Sequence, residues 1–262
     1  MKPAPFEYTR PATLDEALAA LARDDAKVLA GGQSLVPALN MRLLRPAVLV
    51  DVNRIAGLDS VETTDEAVVL GAIVRQADAQ VQSHPVLGAV LPHVGHTVTR
   101  NRGTICGSLA HADPAAELPV ALVAAGGSVV AAAAGGRREI AADELFAGPY
   151  TTTLAPGELI VESTWPTPRE DERFAFEELA LRGGDYALCM AAARVRGEEL
   201  RVVVGGVTPM PTVLEVDPDY PGESAAEQVN PWGSIHATPA YLRQLVRVLV
   251  DRTVGRAREG AP

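Results

Sequence analysis

Apolar residues recur in short runs separated by glycine turns through the first fifth of the chain, with two helical stretches among them. Leu14, Ala17, Leu18 and Leu21 fall on one helix face. Thr13-Leu-Asp-Glu16 ahead of them is a capping box, in which Thr13 caps and Glu16 reaches back. Residues 27–30 predict a strand and 34–44 a helix, with Pro37 tolerated in its first turn. Residues 48–52 predict a buried strand, which completes a small α/β unit.

Further on, 58–63 and 67–72 read as two strands around the turn Thr64-Asp65-Glu66. Residues 74–81 and 86–94 read as helices split near His84-Pro85. The apolar stretch 117–125 is a helix, and 128–133 is a strand ending at the Gly135-Gly136 turn. Residues 140–146 form a short amphipathic piece and 158–164 another strand. Pro166-Thr167-Pro168 and the charged run after it have linker composition. The boundaries expected are therefore 1–57, 58–168 and 174–262.

Beyond the linker the pattern changes to three strand-like runs, 174–181, 187–195 and 200–207, turned by Gly183-Gly184 and by 197–199. Residues 239–256 predict a helix with Tyr241, Leu242, Leu245, Val248 and Leu249 on one side. Strands followed by a helix predict an α+β layer. Residues 215–233, rich in Pro, Asp, Glu and Gly, are expected to form an exposed, partly mobile loop. There is no internal repeat.

Composition narrows the function classes. The 262 residues are 47% hydrophobic with a net charge of −10, and Lys2 and Lys27 are the only lysines. Such a chain is expected to bind neither nucleic acid nor anionic membranes. No apolar run reaches membrane-spanning length, and MKPAPFEYTRP lacks the apolar core of a signal peptide. A cytoplasmic location is the expectation. Cys106 and Cys189 are too few for an iron–sulfur cluster, which usually takes four thiolates, and they form no disulfide framework. Any electron carrier held by this chain must be organic.

Candidate chemistry concentrates in two glycine loops. Residues 27–37 read KVLAGGQSLVP and residues 100–119 read RNRGTICGSLAHADPAAELP. Glycines allow close backbone approach, and Ser and Thr hydroxyls with N–H groups near a helix start make a phosphate cradle. Each loop by itself is equally a Gly-rich surface turn. Two together suggest a ligand with two phosphates, or a long ligand clasped from both sides. Neither loop carries a P-loop or a Rossmann fingerprint.

The pair AGGQSLVP and RNRGTICGSLAHADPAAELP closely resembles the FAD-binding medium subunit of molybdenum hydroxylases. That family includes carbon monoxide dehydrogenase, xanthine dehydrogenase and related bacterial three-subunit enzymes. The resemblance covers residues 6–207 and resumes over 235–257. It implies an α+β chain with a two-subdomain, PCMH-like FAD-binding fold and a small C-terminal α+β domain of antiparallel sheet and helix. It also implies pyrophosphate loops at Leu29, Ala30, Gly31, Gly32, Gln33, Ser34 and Leu35, and at Thr104, Ile105, Cys106, Gly107 and Ser108. Asp113 would be a polar contact further along the dinucleotide; as a plain alternative it is a turn residue before Pro114. Tyr186, in Arg182-Gly-Gly-Asp-Tyr186, would stand beside the isoalloxazine and gate one face, the nearest thing to a catalytic residue here. Otherwise it is an ordinary half-buried strand tyrosine. Ile160 would lie near the adenine, or be simply a buried strand residue. Relatives carry a longer helical segment before the last helix, so the third domain looks abridged.

Two departures bear on the site. The family motif TIGGS reads TICGS here, adding a Cβ at Cys106; this is harmless if the residue has negative φ and strained if not. A reactive thiol at a helix start is the sharper alternative. The first loop has Gln33 where flavin-linking relatives of the wider fold carry histidine, which predicts non-covalent FAD. His93 and His96 could place two metal ligands on one helix face, but no metal is expected, and His96 and His111 are read as lining or supporting the flavin loop.

The function implied is electron relay. A molybdopterin-binding large subunit oxidises substrate, an iron–sulfur small subunit passes electrons to FAD here, and FAD delivers them to an external acceptor. A free-standing FAD oxidoreductase with its own small substrate, and a degenerate non-catalytic nucleotide-binding subunit, are the alternatives. Neither the substrate nor the acceptor is written in this chain.

Overall fold

The computed structural model describes residues 2–260. The chain opens with β1 (Glu7–Thr9), α1 (Leu14–Leu21), β2 (Ala26–Leu29), α2 (Leu35–Asn40) and β3 (Val48–Asp51). The three strands form a parallel sheet in the order β1-β3-β2. The capping box is built: Thr13 Oγ1 accepts the Glu16 N–H at 3.3 Å, and Glu16 Oε2 accepts the Ala12 N–H at 2.8 Å and the Thr13 N–H at 3.3 Å. Helix α2 is shorter than the pattern predicts; the chain leaves it at Met41 and turns left-handed at Arg42 (φ 59°).

The second unit runs β4 (Val61–Thr63), β5 (Ala67–Gly71), α3 (Ala79–Ser83), α4 (Pro85–Val90), α5 (Thr97–Arg100), α6 (Ile105–His111) and α7 (Glu117–Ala125). It continues with β6 (Ser128–Ala133), β7 (Gly136–Ala141), α8 (Ala142–Leu145), β8 (Phe146–Gly148), β9 (Thr151–Thr152) and β10 (Leu159–Pro166). Five of these strands make an antiparallel sheet, β4-β5-β10-β6-β7, while β8 and β9 pair separately. The helix expected over 74–81 exists only from Ala79. Residues 74–76 instead run antiparallel to 103–105: the Gln76 N–H donates to Gly103 O (3.0 Å) and the Ile105 N–H to Val74 O (3.1 Å). Long-range pairing there overrides local helical periodicity. The stretch 140–146 likewise divides between the end of β7, α8 and the start of β8.

The third unit is an antiparallel meander of β11 (Glu172–Ala180), β12 (Ala187–Arg196), β13 (Glu199–Gly205) and β14 (Thr212–Leu214), followed by α9 (Pro221–Gln228) and α10 (Pro239–Glu259). Its sheet is covered on both faces. Cys189, Ala191 and Ala193 face α10, and the alternate Met190 and Ala192 share a core with α7. Helix α7 is therefore buried all round, as its unbroken apolar run requires. Arg194 and Arg201 of this sheet donate to the Ala125 and Val123 carbonyls at the end of α7 (both 3.0 Å).

Two expectations for this unit need correction. Residues 215–233 are not simply a mobile loop: Pro221 starts α9, Ala225 is buried, and the Gly222 N–H donates to Asp251 Oδ1 of α10 at 2.7 Å. The buried stripe of α10 is also rotated. It comprises Leu242, Val246, Leu249, Val250, Thr253, Val254 and Ala257, and Tyr241 lies outside it. Among the described residues, no helix is long and apolar enough to cross a membrane.

Candidate cofactor site

The two glycine loops touch. The first links β2 to α2, and the second leads from α5 into α6. A Cβ on Gly31 would stand 2.4 Å from Arg102 O and 2.9 Å from Gly103 Cα, so only glycine allows these backbones to meet. Gly32 has φ 75°, which glycine adopts freely. The Gln33 side chain folds back and donates to Gly31 O at 3.2 Å. In the second loop Thr104 caps α6 by accepting the Gly107 N–H at 3.1 Å. A Cβ on Gly107 would come 2.4 Å from that Thr104 Oγ1, and one on Gly103 would meet Gln76 Oε1 at 2.4 Å.

A polar network beneath the loops was not foreseen. The Tyr8 hydroxyl donates to Asp51 Oδ2 (2.5 Å), and Asp51 Oδ1 accepts the backbone N–H (2.9 Å) and side-chain amide (2.7 Å) of Asn53. Burial pushes the Asp51 carboxyl up, but these bonds and the Arg10 charge outweigh it and hold the group below its ordinary range. Asn53 Nδ2 also donates to Ala30 O (2.8 Å) and Leu29 O (3.3 Å) of the first loop. Arg75 then donates to Asn53 Oδ1 (2.6 Å) and to Arg102 O (2.5 Å) of the second loop.

The β11–β12 turn closes the other side. Gly184, at φ 86°, lies so close to His96 that a Cβ would come 2.4 Å from its ring. Tyr186 follows; the residue is 58% exposed, with Ser34 of the first loop near its hydroxyl. Burial around that hydroxyl and the Asp113 charge push the phenol up to about 12; Ser34 opposes, and Tyr150 and Glu117 add to the rise. Asp113 is buried, accepting the Ala115 N–H at 2.9 Å and the Tyr150 hydroxyl at 3.3 Å, so it holds a turn and an aromatic side chain at once. Tyr150 has φ 54° and packs on His111 with ring centroids 5.2 Å apart.

Behind this wall lies an acidic pair. Glu117 opens α7 and is 4% exposed; burial pushes its carboxyl up to about 7. Glu178 and Asp113 also raise it, against a lowering pull from His93. His93 Nδ1 stands 3.3 Å from Glu178 Oε1. That contact raises the His93 pKa against the opposing effect of burial.

The remaining expected residues are placed as follows. Cys106 is helical and fully buried, its thiol turned into the core toward Ser163 Oγ (3.5 Å) and the carbonyls of Leu70 and Gly71. Burial pushes that thiol up to about 12, so TICGS carries neither backbone strain nor a reactive thiolate. Ile105 is also buried, whereas Ser108 and Leu35 are partly accessible. Ile160 lies in the core of the second unit, beside an irregularity in β10. Among the described residues no three His, Cys, Asp or Glu side chains converge as a metal site. Asn53, Arg75, Glu117 and Tyr150 are the participants that motif reading missed. Arg75, a charge directly after the apolar run 72–74, was the one available signal.

A parallel three-stranded unit and an antiparallel five-stranded unit that meet through two glycine loops, with a hairpin of a third unit at the mouth, define a dinucleotide-clasping protein. Residues 4–168 match the family described as the FAD binding domain in molybdopterin dehydrogenase. The chain is 38% identical to the 6-hydroxypseudooxynicotine dehydrogenase complex subunit alpha of Paenarthrobacter nicotinovorans, over 98% of this chain and 96% of that one. It is 34% identical to the carbon monoxide dehydrogenase medium chain of Hydrogenophaga pseudoflava, over 80% and 77%. Among solved structures, quinoline 2-oxidoreductase from Pseudomonas putida 86 superposes with a TM-score of 0.91 at 34% identity, covering 100% of this chain and 99% of that one. Carbon monoxide dehydrogenase from Hydrogenophaga pseudoflava gives 0.94 at 28%, covering both chains fully. The chain belongs to the family of FAD-binding medium subunits of molybdopterin dehydrogenases, and FAD is its cofactor.

Proposed function

We propose that this chain is the flavin relay of a three-part dehydrogenase that works in the cytoplasm. A molybdopterin-binding large subunit would oxidise the substrate, and an iron–sulfur small subunit would bring the electrons here. The observation that carries the reading is the meeting of the two glycine loops, Gly31 on Arg102 O and Gly103 Cα, beside the β11–β12 turn, whose Gly184 packs on His96. The names of the relatives, as a complex subunit, a medium subunit and a medium chain, support the assembly.

The residues present fit FAD. Ser34 and Ser108, with the loop backbone, would hold the pyrophosphate, and Thr104 shapes that cradle by capping α6. Asp113 would orient the polar chain, and Tyr186 and Tyr150 offer flat walls on the side where Asp113 sits. When bound, the flavin supplies stepwise electron acceptance and release. The chain's own part is to bind it, orient it and restrict access to one face. Gln33 in place of a linking histidine supports non-covalent attachment.

A visible spectrum of the purified chain, before and after acid precipitation, tests this. Flavin bands released into the supernatant are expected. Bands left in the precipitate would overturn non-covalent binding. Co-purification with no cysteine-rich iron–sulfur partner and no molybdopterin partner would overturn the relay.

A further inference from the structure

The two glycine loops belong to different units and different sheets, yet a dinucleotide needs them at one fixed separation. Their backbones meet where Gly31 packs against Arg102 O and Gly103 Cα. Arg75 donates to that same oxygen at 2.5 Å through one guanidinium nitrogen and to Asn53 Oδ1 at 2.6 Å through the other. The Asn53 amide donates to Ala30 O at 2.8 Å, and Asn53 is itself fixed by Asp51. A continuous line of hydrogen bonds thus runs from the first loop to the second through two side chains. Backbone pairing of 74–76 with 103–105 anchors Arg75 to the second loop independently of its side chain.

We propose that Arg75 and Asn53 form a latch that sets the spacing of the two cofactor loops, making both positioning residues for the flavin dinucleotide. This rests on the reading of the cleft as the FAD site. The geometry suits arginine in particular. Its planar fork reaches two acceptors in fixed directions, whereas a lysine ammonium would have to choose between them. The latch stands beneath the loops, so it acts on the cofactor through their spacing.

The test uses the full chain with two readouts, amide hydrogen exchange without flavin and FAD affinity by fluorescence titration. Arg75→Met should speed exchange in both 30–34 and 101–105 and weaken FAD binding roughly 10- to 100-fold, the scale of a lost charge-assisted hydrogen bond. Arg75→Lys should recover part of that loss. Asn53→Ala should speed exchange in the first loop, and the double variant should bind little worse than Arg75→Met, because both changes break one line. The latch is overturned if Arg75→Met leaves both loops protected as before, or leaves FAD affinity unchanged. It is also overturned if Arg75→Lys is as weak as Arg75→Met while exchange in 101–105 stays slow. If the loops loosen as expected but the unaltered chain binds no FAD, the latch stands as a spacing device and the flavin reading of the cleft is what fails.

Discussion

Replacing Glu117 by Gln should change how stability depends on pH. The carboxyl is raised from 4.5 to about 7 in the folded chain, through burial first and then the nearby Glu178 and Asp113 carboxylates. The folded state therefore keeps a proton that the unfolded chain has already released. The associated stability is fully present below about pH 4.5 and is lost as pH rises through about 7. At about 1.4 kcal/mol per pKa unit this amounts to roughly 3 kcal/mol. His93, raised by its Glu178 contact, adds a loss of the same sign above its ordinary 6.5, so the unaltered chain alone would not separate the two. Glu117→Gln removes the first and keeps the larger cause of the second, the His93–Glu178 contact, losing only the smaller lift that Glu117 gives His93. Urea unfolding of flavin-free protein at pH 5, 6, 7 and 8 reads the difference. Fluorescence suits it, because Trp165 is fully buried in the unit that carries Glu117 while Trp232 is largely exposed. Between pH 5 and 8 the unaltered chain should lose about 2.5 kcal/mol more than the variant, the remainder being lost below pH 5. With a slope of about 2–3 kcal/mol per molar urea, that is a midpoint shift near 1 M. Parallel curves for the two proteins would refute the claim that Glu117 holds a proton in the folded chain.

Two further outcomes follow from the loop geometry. Gly31→Ala would force a Cβ into Arg102 O, a backbone atom that cannot rotate away. It should cost about 1–3 kcal/mol of stability and weaken FAD roughly tenfold or more, while Gly135→Ala, where a Cβ meets nothing within 4 Å, should do neither; equal behaviour of the two in thermal melts and FAD titration would count against the contact. Cys106 and Cys189, both buried with thiols pushed up to about 12, should resist a disulfide reagent at pH 8 until denaturant is added, when both react. Prompt modification of Cys106 in the native chain would mean that its thiol faces the cleft after all.

Much of the framework is legible from local pattern, because its determinants are local. The capping box at Thr13 and the strand runs 27–30 and 48–52 need only neighbouring residues, and they appear within a residue of the bounds read; β1 (Glu7–Thr9), too short to show a pattern, was missed. The failures share one cause: distant partners. Residues 74–76 have helical spacing but pair with 103–105. α9 looks like a loop by composition and becomes a helix against Asp251 and the α10 surface. The tilt of the α10 stripe is set by the sheet it covers, which the helix sequence alone does not describe. In the site, the loops announce themselves through glycine and hydroxyl residues. Asn53 and Arg75 do not, since most of their partners lie more than twenty residues away, several of them backbone carbonyls that leave no mark in composition.

The glycines themselves bear a second reading. Intact Gly31, Gly103 and Gly107 argue for a working phosphate site only if the ligand is what demands them. Yet each already has a protein atom where its Cβ would go: Arg102 O for Gly31, Gln76 Oε1 for Gly103 and Thr104 Oγ1 for Gly107. A chain that had lost its flavin but kept its fold would need the same three residues. The nearness of Tyr186 to Ser34 is different, because it brings the third unit beside the first loop and none of the three glycine contacts accounts for it. A working site is therefore argued better from that pairing than from the glycine motif. Tyr186→Phe, which keeps the ring and removes the hydroxyl, separates the two arguments more cleanly than a change at any of the three glycines.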